Sequence, residues 1–127
     1  MTAKLSAEQR AQVAHSVMSL LSEWGLDPRQ QATLLGMAED LKPRALSRYR
    51  SGTPFPDDPE LMSRVAKLLS IQNSLATCFP HNADMARYWV TTPNAQLNDV
   101  TPLAYMLEHG LEGIDIVAGQ LTGGYDW

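Results

Sequence analysis

Residues 6–25, which read SAEQRAQVAHSVMSLLSEWG, carry a complete helix signal. Ser6 and Gln9 form a capping box, in which each side chain can bond the backbone amide of the other residue. The apolar residues behind this box recur at helical spacing on one face, and they are Val13, Val17, Leu20, Leu21 and Trp24. Gly25 then predicts the end of the helix, because glycine readily takes the left-handed conformation that follows a helix C-terminus.

The same start and stop signals recur along the rest of the chain. Predicted helix starts lie at Asp27-Pro28, Pro43, Pro59, Asn82 or Asp84, and Thr101-Pro102, and a last helix after Gly110 carries Ile114, Val117 and Leu121. The Pro-rich segment 53–59 cannot continue a helix and is interpreted as a linker. No segment of useful length alternates apolar and polar residues, so strands are not expected. The sequence therefore predicts an all-α fold.

Composition limits the classes of protein that this chain can belong to. It has 127 residues, of which 44% are hydrophobic and 19% charged, which is typical of one compact domain or two very small ones. A single cysteine, Cys78, excludes an intramolecular disulfide. No apolar run is long enough to cross a bilayer, and residues 1–6 lack the apolar stretch of a signal peptide. We therefore expect a cytoplasmic protein with no membrane partner.

The charge of the chain is divided unevenly. Residues 1–75 carry nine Lys and Arg against eight Asp and Glu, whereas residues 76–127 carry only Arg87 against six acids. The first part can tolerate a polyanion, while the second would repel one. The split indicates that the two parts face different partners.

Nothing in the sequence has the pattern of a catalytic or metal site. His15, His81 and His109 lie far apart, with no acid or nucleophile at a spacing that suggests a shared site. Cys78 has no basic neighbour in the sequence that would make it reactive, so a buried structural thiol is the better interpretation. The glycines form no phosphate-binding loop and no Cys/His set has zinc spacing. We expect no enzyme activity, no cofactor, no metal and no small-molecule substrate.

The most basic stretch is the predicted third helix, which carries Lys42, Arg44, Ser47, Arg48 and Arg50. Two short helices joined by a turn, the second one basic, are typical of a helix-turn-helix that lays its second helix in the DNA major groove. Arginine suits this position because its guanidinium can grip guanine edges or phosphates. The alternative is that these residues form only a solvated helix face. DNA binding by one such unit is weak, so a homodimer is expected.

Aromatic residues concentrate in the acidic part of the chain. Trp89 either fills a small core or anchors an interface, since aromatic rings bury large areas with few rotatable bonds. The last three residues, Tyr125-Asp126-Trp127, follow a Gly-Gly pair, where core residues are seldom found. We interpret them as an aromatic, acidic plug for the cleft of a partner.

Residues 86–94, ARYWVTTPN, together with Thr101-Pro102-Leu103 and Gly110, resemble the toxin-binding domain of Xre/MbcA/ParS-type antitoxins. The family signature is a tryptophan, a Pro-Asn turn, a Thr-Pro-Leu helix start and a glycine. In this chain Trp89 is the tryptophan, and Pro93 and Asn94 form the turn. Upstream, Leu34-Leu35-Gly36, the basic helix, Gly52 and residues 64–69 are similar to the Xre-like helix-turn-helix. The resemblance runs from about Trp24 to Leu121.

The resemblance implies a type II antitoxin whose partner is a RES-domain toxin that consumes NAD⁺. Residues 1–75 would form a helix-turn-helix and dimerisation region that binds operator DNA, and residues 76–127 would form the toxin-binding domain that obstructs the toxin's active site. The toxin-binding residues would then be Trp89, Pro93 and Asn94, to which the physical argument adds Tyr125, Asp126 and Trp127.

One departure from the family weakens the DNA-binding expectation. Fifteen residues separate Gly36 from Gly52, about four more than a compact Xre helix-turn-helix places there, and the extra length around 38–41 brings two acids beside the basic helix. Toxin binding is therefore the more secure expectation of the two. The main alternative to an antitoxin is a stand-alone transcriptional regulator that kept the domain without a toxin. An enzyme or small-molecule binder is the third.

Overall fold

The computed structural model describes residues 5–37 and 42–122. Its helices are α1 (Ala7–Glu23), α2 (Pro28–Leu35), α3 (Pro43–Arg50), α4 (Pro59–Cys78), α5 (Ala83–Val90), a 3-10 turn at Ala95–Leu97 and α6 (Pro102–Thr122). Over the described ranges there is no strand, and one isolated antiparallel bridge joins Asn94 to Val100. The predicted all-α class is confirmed.

The chain folds as two compact units, Met1–Val65 and Ala66–Trp127, so that the boundary lies within α4. The division at residues 75 and 76 expected from the sequence stays a prediction. Each unit has its own set of buried apolar side chains, and each is described separately below.

In the first unit the helix ends follow the local sequence. Ser6 and Gln9 form the expected capping box, since the Ser6 hydroxyl accepts from the Gln9 amide at 3.1 Å and the Gln9 side chain accepts from the Ser6 amide at 2.8 Å. Asp27 and Gln30 form a second capping box at the start of α2. Gly36 closes α2 in the left-handed conformation, with a φ of 72°.

The Pro-rich segment of the first unit is more than a linker. Phe55 is 1% exposed, its ring centroid lies 5.0 Å from that of Tyr49, and its carbonyl accepts from Arg10 Nε at 2.9 Å. Burying a phenyl ring stabilises a fold by about 2–3 kcal/mol. The prolines predict that this segment is not helical. They do not predict the burial of Phe55, because that depends on contacts with residues distant in the sequence.

The second unit contains a sharp bend at Gly110, where φ is 61° and ψ is −136°. Beyond the bend the two parts of α6 pack closely, because a Cβ added at Gly113 would lie 2.8 Å from the Tyr105 carbonyl oxygen. Residues eight positions apart approach this closely only when the chain reverses direction. The predicted helix end at Gly110, with a further helix after it, is therefore confirmed. The buried side chains of this unit include Val90, Leu97, Met106, Ile114 and Val117.

Candidate protein-interaction site

Helix α5 presents an apolar face to solvent, which we call the α5 face and define as Met85, Tyr88 and Trp89. Met85 is 41% exposed, Tyr88 is 61% exposed and Trp89 is half-buried. These positions lie three and four residues apart, so they share one side of the helix. Val90, on the opposite side, is fully buried. The helix is thus packed through one side and leaves its largest apolar side chains on the other.

Backbone groups at both ends of α5 form hydrogen bonds with nearby side chains. Asn82 is its N-cap, and the Asn82 Oδ1 accepts from the Asp84 amide at 3.1 Å and from the Met85 amide at 3.3 Å. At the other end the hydroxyl of Thr92 donates to the Tyr88 carbonyl at 2.6 Å. Of the two caps that the sequence left open, the structure uses Asn82. These bonds satisfy backbone groups at both ends of α5 and stabilise the helix that carries the α5 face.

Asn94 organises the loop between α5 and α6. Its amide donates to the Val100 carbonyl at 3.1 Å, and its carbonyl accepts from the amides of Leu97 at 2.9 Å and Asp99 at 3.0 Å. Its side-chain oxygen accepts from the Gln96 amide at 2.9 Å, while its Nδ2 lies 3.5 Å from Oε1 of the buried Gln120. The half-buried Asn94 therefore shapes the loop from within, whereas the neighbouring Pro93 is exposed.

The second unit carries its acidic charge on the surface. The exposed acids among its described residues are Asp84, Asp99, Glu108, Glu112 and Asp115. Of these, Asp115 forms an ion pair with Lys67 on α4 and Glu108 lies 3.9 Å from His109. The remaining carboxylates give the unit a negative surface that can attract a cationic partner.

The predicted DNA-binding residues on α3 fall into two groups, one that contacts α1 and one that faces solvent. All five predicted DNA-binding residues, Lys42, Arg44, Ser47, Arg48 and Arg50, are exposed. Arg50 is tied to α1, because its Nη2 donates to Ser22 Oγ at 2.6 Å and its carbonyl lies 2.8 Å from His15 Nδ1. Arg44, Ser47 and Arg48 lie on the side of α3 opposite the buried Leu46. One face of three residues is thus available to a partner.

Two predictions concern segments outside the described residues. The proposed plug Tyr125-Asp126-Trp127 and the extra residues 38–41 of the predicted helix-turn-helix both lie there.

The prediction for Cys78 is wrong. Cys78 is exposed and is the last residue of α4. The absence of a basic neighbour in the sequence led to the interpretation of a buried structural thiol, but that absence says nothing about whether other residues cover the side chain. Within the described ranges no group of His, Cys, Asp and Glu side chains could hold a metal ion.

Sequence reasoning missed Met85 and Tyr88 as site residues. The signal was present in the spacing, since Ala86 and Val90 form the other side of α5 and are small enough to pack closely.

These features define an all-helical module whose exposed apolar face and fixed loop suit protein binding. Residues 74–122 match the family model of the antitoxin Xre/MbcA/ParS C-terminal toxin-binding domain. The expected resemblance is confirmed over this range, which contains α5, the loop and α6. No curated protein matches the chain.

Over this range the chain is similar to an antitoxin domain that binds a protein toxin, and such a domain belongs to a family without catalytic activity. The prediction that the chain is not an enzyme agrees with this family. Among the described helices, none is both long enough and apolar enough to cross a membrane.

Proposed function

We propose that this chain is the antitoxin of a type II system and acts in the cytoplasm by covering the NAD⁺-binding active site of a RES-domain toxin. The observation that carries the proposal is the exposed α5 face inside the range that matches the toxin-binding domain. Occlusion requires a rigid surface and no chemistry, which is what this unit offers.

The α5 face has the composition of an interface centre. Tyrosine and tryptophan are enriched among residues that dominate binding energies, because they bury large areas at low entropic cost. Methionine adds an apolar side chain that adapts to the partner's surface. Tyr88 has the largest exposed fraction among these side chains and is therefore the proposed anchor.

Charge supports the same partner. A cleft that binds the phosphates of NAD⁺ carries positive charge, and the second unit presents exposed carboxylates around a single exposed arginine, Arg87. Trp89 and Pro93 would contact the toxin beside Tyr88, while Asn94 would act by holding the loop in shape. Tyr125, Asp126 and Trp127 would extend the contact into the cleft.

DNA binding is the second part of the proposal. The face formed by Arg44, Ser47 and Arg48 would enter the major groove of the operator, with Lys42 and Arg50 near the phosphates. A homodimer would place two such helices on neighbouring half-sites and allow autoregulation of the operon. The same face favours the alternative of a stand-alone regulator, which would lack any toxin partner.

The first test is co-expression of the chain with the RES-domain protein encoded beside it, followed by co-purification and an assay of cellular NAD⁺. A stable complex that suppresses NAD⁺ loss supports the antitoxin role. If no complex forms, or if no RES-domain protein is encoded beside this chain, the result would favour the stand-alone regulator.

The variant Tyr88→Ala tests the α5 face. Because this side chain is 61% exposed, the fold should lose no more than about 0.5 kcal/mol, while toxin affinity should fall by about 30-fold or more. Isothermal titration with an inactivated toxin measures the affinity, and thermal unfolding measures the fold. The matched control is Ile116→Ala, an apolar residue of α6 that is 39% exposed and should bind normally. Equal toxin affinity for wild type and Tyr88→Ala would show that the α5 face is not part of the interface.

A further inference from the structure

We propose that Gln120 is a positioning residue for toxin binding, which acts through Asn94 to hold the loop at residues 93–100 in place against α6. The inference rests on the proposed function, since it concerns how the toxin-binding domain presents this loop to its protein partner. Gln120 was not predicted from the sequence, in which the last helix is defined by its apolar residues.

Gln120 lies on α6 at a position where the helical pattern predicts an apolar side chain. It follows Ile114 and Val117 by six and three residues, and both of these are 0% exposed, while Gln120 itself is 5% exposed. Burying a side-chain amide costs free energy unless the amide has a hydrogen-bond partner. An apolar side chain would fill the position without that cost, so the glutamine indicates a specific polar contact.

The partner of Gln120 is the side-chain amide of Asn94. The Asn94 Nδ2 donates to Gln120 Oε1 at 3.5 Å, a long hydrogen bond between residues 26 positions apart in the chain. The Asn94 Oδ1 is engaged as well, because it accepts from the Gln96 amide at 2.9 Å. The oxygen of this amide thus faces the loop and its nitrogen faces α6, and the two contacts together fix its orientation.

Backbone hydrogen bonds close the loop on itself. The Asn94 carbonyl accepts from the amides of Leu97 and Asp99, and the Asn94 amide donates to the Val100 carbonyl. Leu97 is 4% exposed, so one side of the loop is also buried, but apolar burial has no preferred direction. The bond to Gln120 is directional, and it therefore sets how the closed loop is oriented on α6.

An oriented loop favours binding, because a partner then loses less conformational entropy than it would in ordering a mobile loop. Pro93, a predicted toxin-binding residue, is exposed and directly precedes Asn94. Without the contact to Gln120 the loop keeps its internal bonds but takes up several orientations, and toxin affinity falls. Gln120 thus supports a contact that it does not itself make.

The test compares full-length Gln120→Met, Gln120→Glu and the control Val117→Ala. Methionine has a similar volume but no amide, whereas glutamate keeps an oxygen that can accept from Asn94 whether or not it is ionised. Val117→Ala destabilises the same helix by leaving a cavity in the core. Amide hydrogen exchange of the free chain measures the loop, and titration with an inactivated form of the toxin encoded beside the chain measures binding.

We expect Gln120→Met to speed exchange at the amides of Gln96, Leu97 and Asp99 by about fivefold, and to weaken toxin binding by a similar factor. Gln120→Glu should recover part of both losses. Val117→Ala should unfold at a lower temperature than wild type and still bind the toxin with wild-type affinity, because the contact between the loop and α6 stays in place.

The two measurements separate a positioning role from a merely structural one. Unchanged loop exchange in Gln120→Met, or an affinity loss shared by Val117→Ala, would overturn the inference. Faster loop exchange with unchanged toxin affinity would also overturn it, while leaving the antitoxin role intact. A wild-type chain that binds no toxin would overturn both.

Discussion

At Gly110 the backbone takes a φ of 61° and a ψ of −136°, a combination that side chains other than glycine essentially never adopt. The bend reverses the direction of the chain within α6. Because Gly113 has no Cβ, its backbone can then lie close to the Tyr105 carbonyl. Two glycines thus permit a tight pair of helices within the 49 residues that match the toxin-binding family. The role of Gly110 could be predicted from its place in a helical pattern, but the role of Gly113 could not, because nothing local marks a close approach of distant backbone.

We predict that Gly110→Ala destabilises the full-length chain by about 1–3 kcal/mol, because the added Cβ is strained at this φ and ψ. Chemical unfolding in urea measures the change. The matched control is Gly119→Ala in the same helix, where the added Cβ meets nothing within 4 Å and should stabilise by about 0.5–1 kcal/mol. If Gly110→Ala is as stable as wild type, the bend is not needed for the fold.

Asn94 is a predicted toxin-binding residue that also has a structural role in its loop. The family resemblance assigned it to toxin contact, and the contact itself stays a prediction. In the structure its backbone and side chain bond Gln96, Leu97, Asp99 and Val100, so it shapes the loop. A sequence pattern identifies such a residue but does not distinguish a contact from the support of a contact, since both demand the same side chain.

At the scale of the elements, α3 and α5 are helices of equal length with different surfaces. The exposed side of α3 is basic and polar, whereas that of α5 is apolar. The sequence predicted both helices. It did not show which α3 arginine is engaged, because the partner of Arg50, Ser22, lies 28 positions away on α1.

We predict that Arg44→Ala and Arg48→Ala each weaken operator binding by about 1–3 kcal/mol and leave toxin binding and stability unchanged, since both side chains are exposed. Electrophoretic mobility shift assays with the operon's own promoter measure the effect. Arg87→Ala, which removes an exposed arginine from the second unit, is the control and should bind the operator normally. A loss of both operator and toxin binding in the α3 variants would mean that these arginines support the fold or the dimer.

At the scale of the whole molecule, the uneven charge of the chain is matched by two compact units with different surfaces. The first unit presents the basic α3 face, and the second presents exposed carboxylates and the α5 face. The proposed function requires such a division, because operator DNA is negatively charged and the proposed toxin cleft, which binds phosphates, is positively charged.

We predict that deleting residues 123–127 releases toxin activity if the tail fills the active site. The complex should survive, held by the α5 face, while NAD⁺ consumption rises towards that of the free toxin. Co-purification and an NAD⁺ assay on the same complex separate binding from inhibition. Full inhibition by the truncated chain would show that the α5 face and its loop are sufficient to block the cleft.

The sequence by itself determined the helices, their caps and their ends, because these depend on residues within a few positions of one another. It also carries the similarity of residues 74–122 to the antitoxin toxin-binding domain, since the signature residues are close in the chain. The tertiary structure alone decided the burial of Phe55, the exposure of Cys78 and the hydrogen bond of Arg50 to Ser22. Each of these depends on which distant side chains or backbone groups become neighbours, and no local spacing records that.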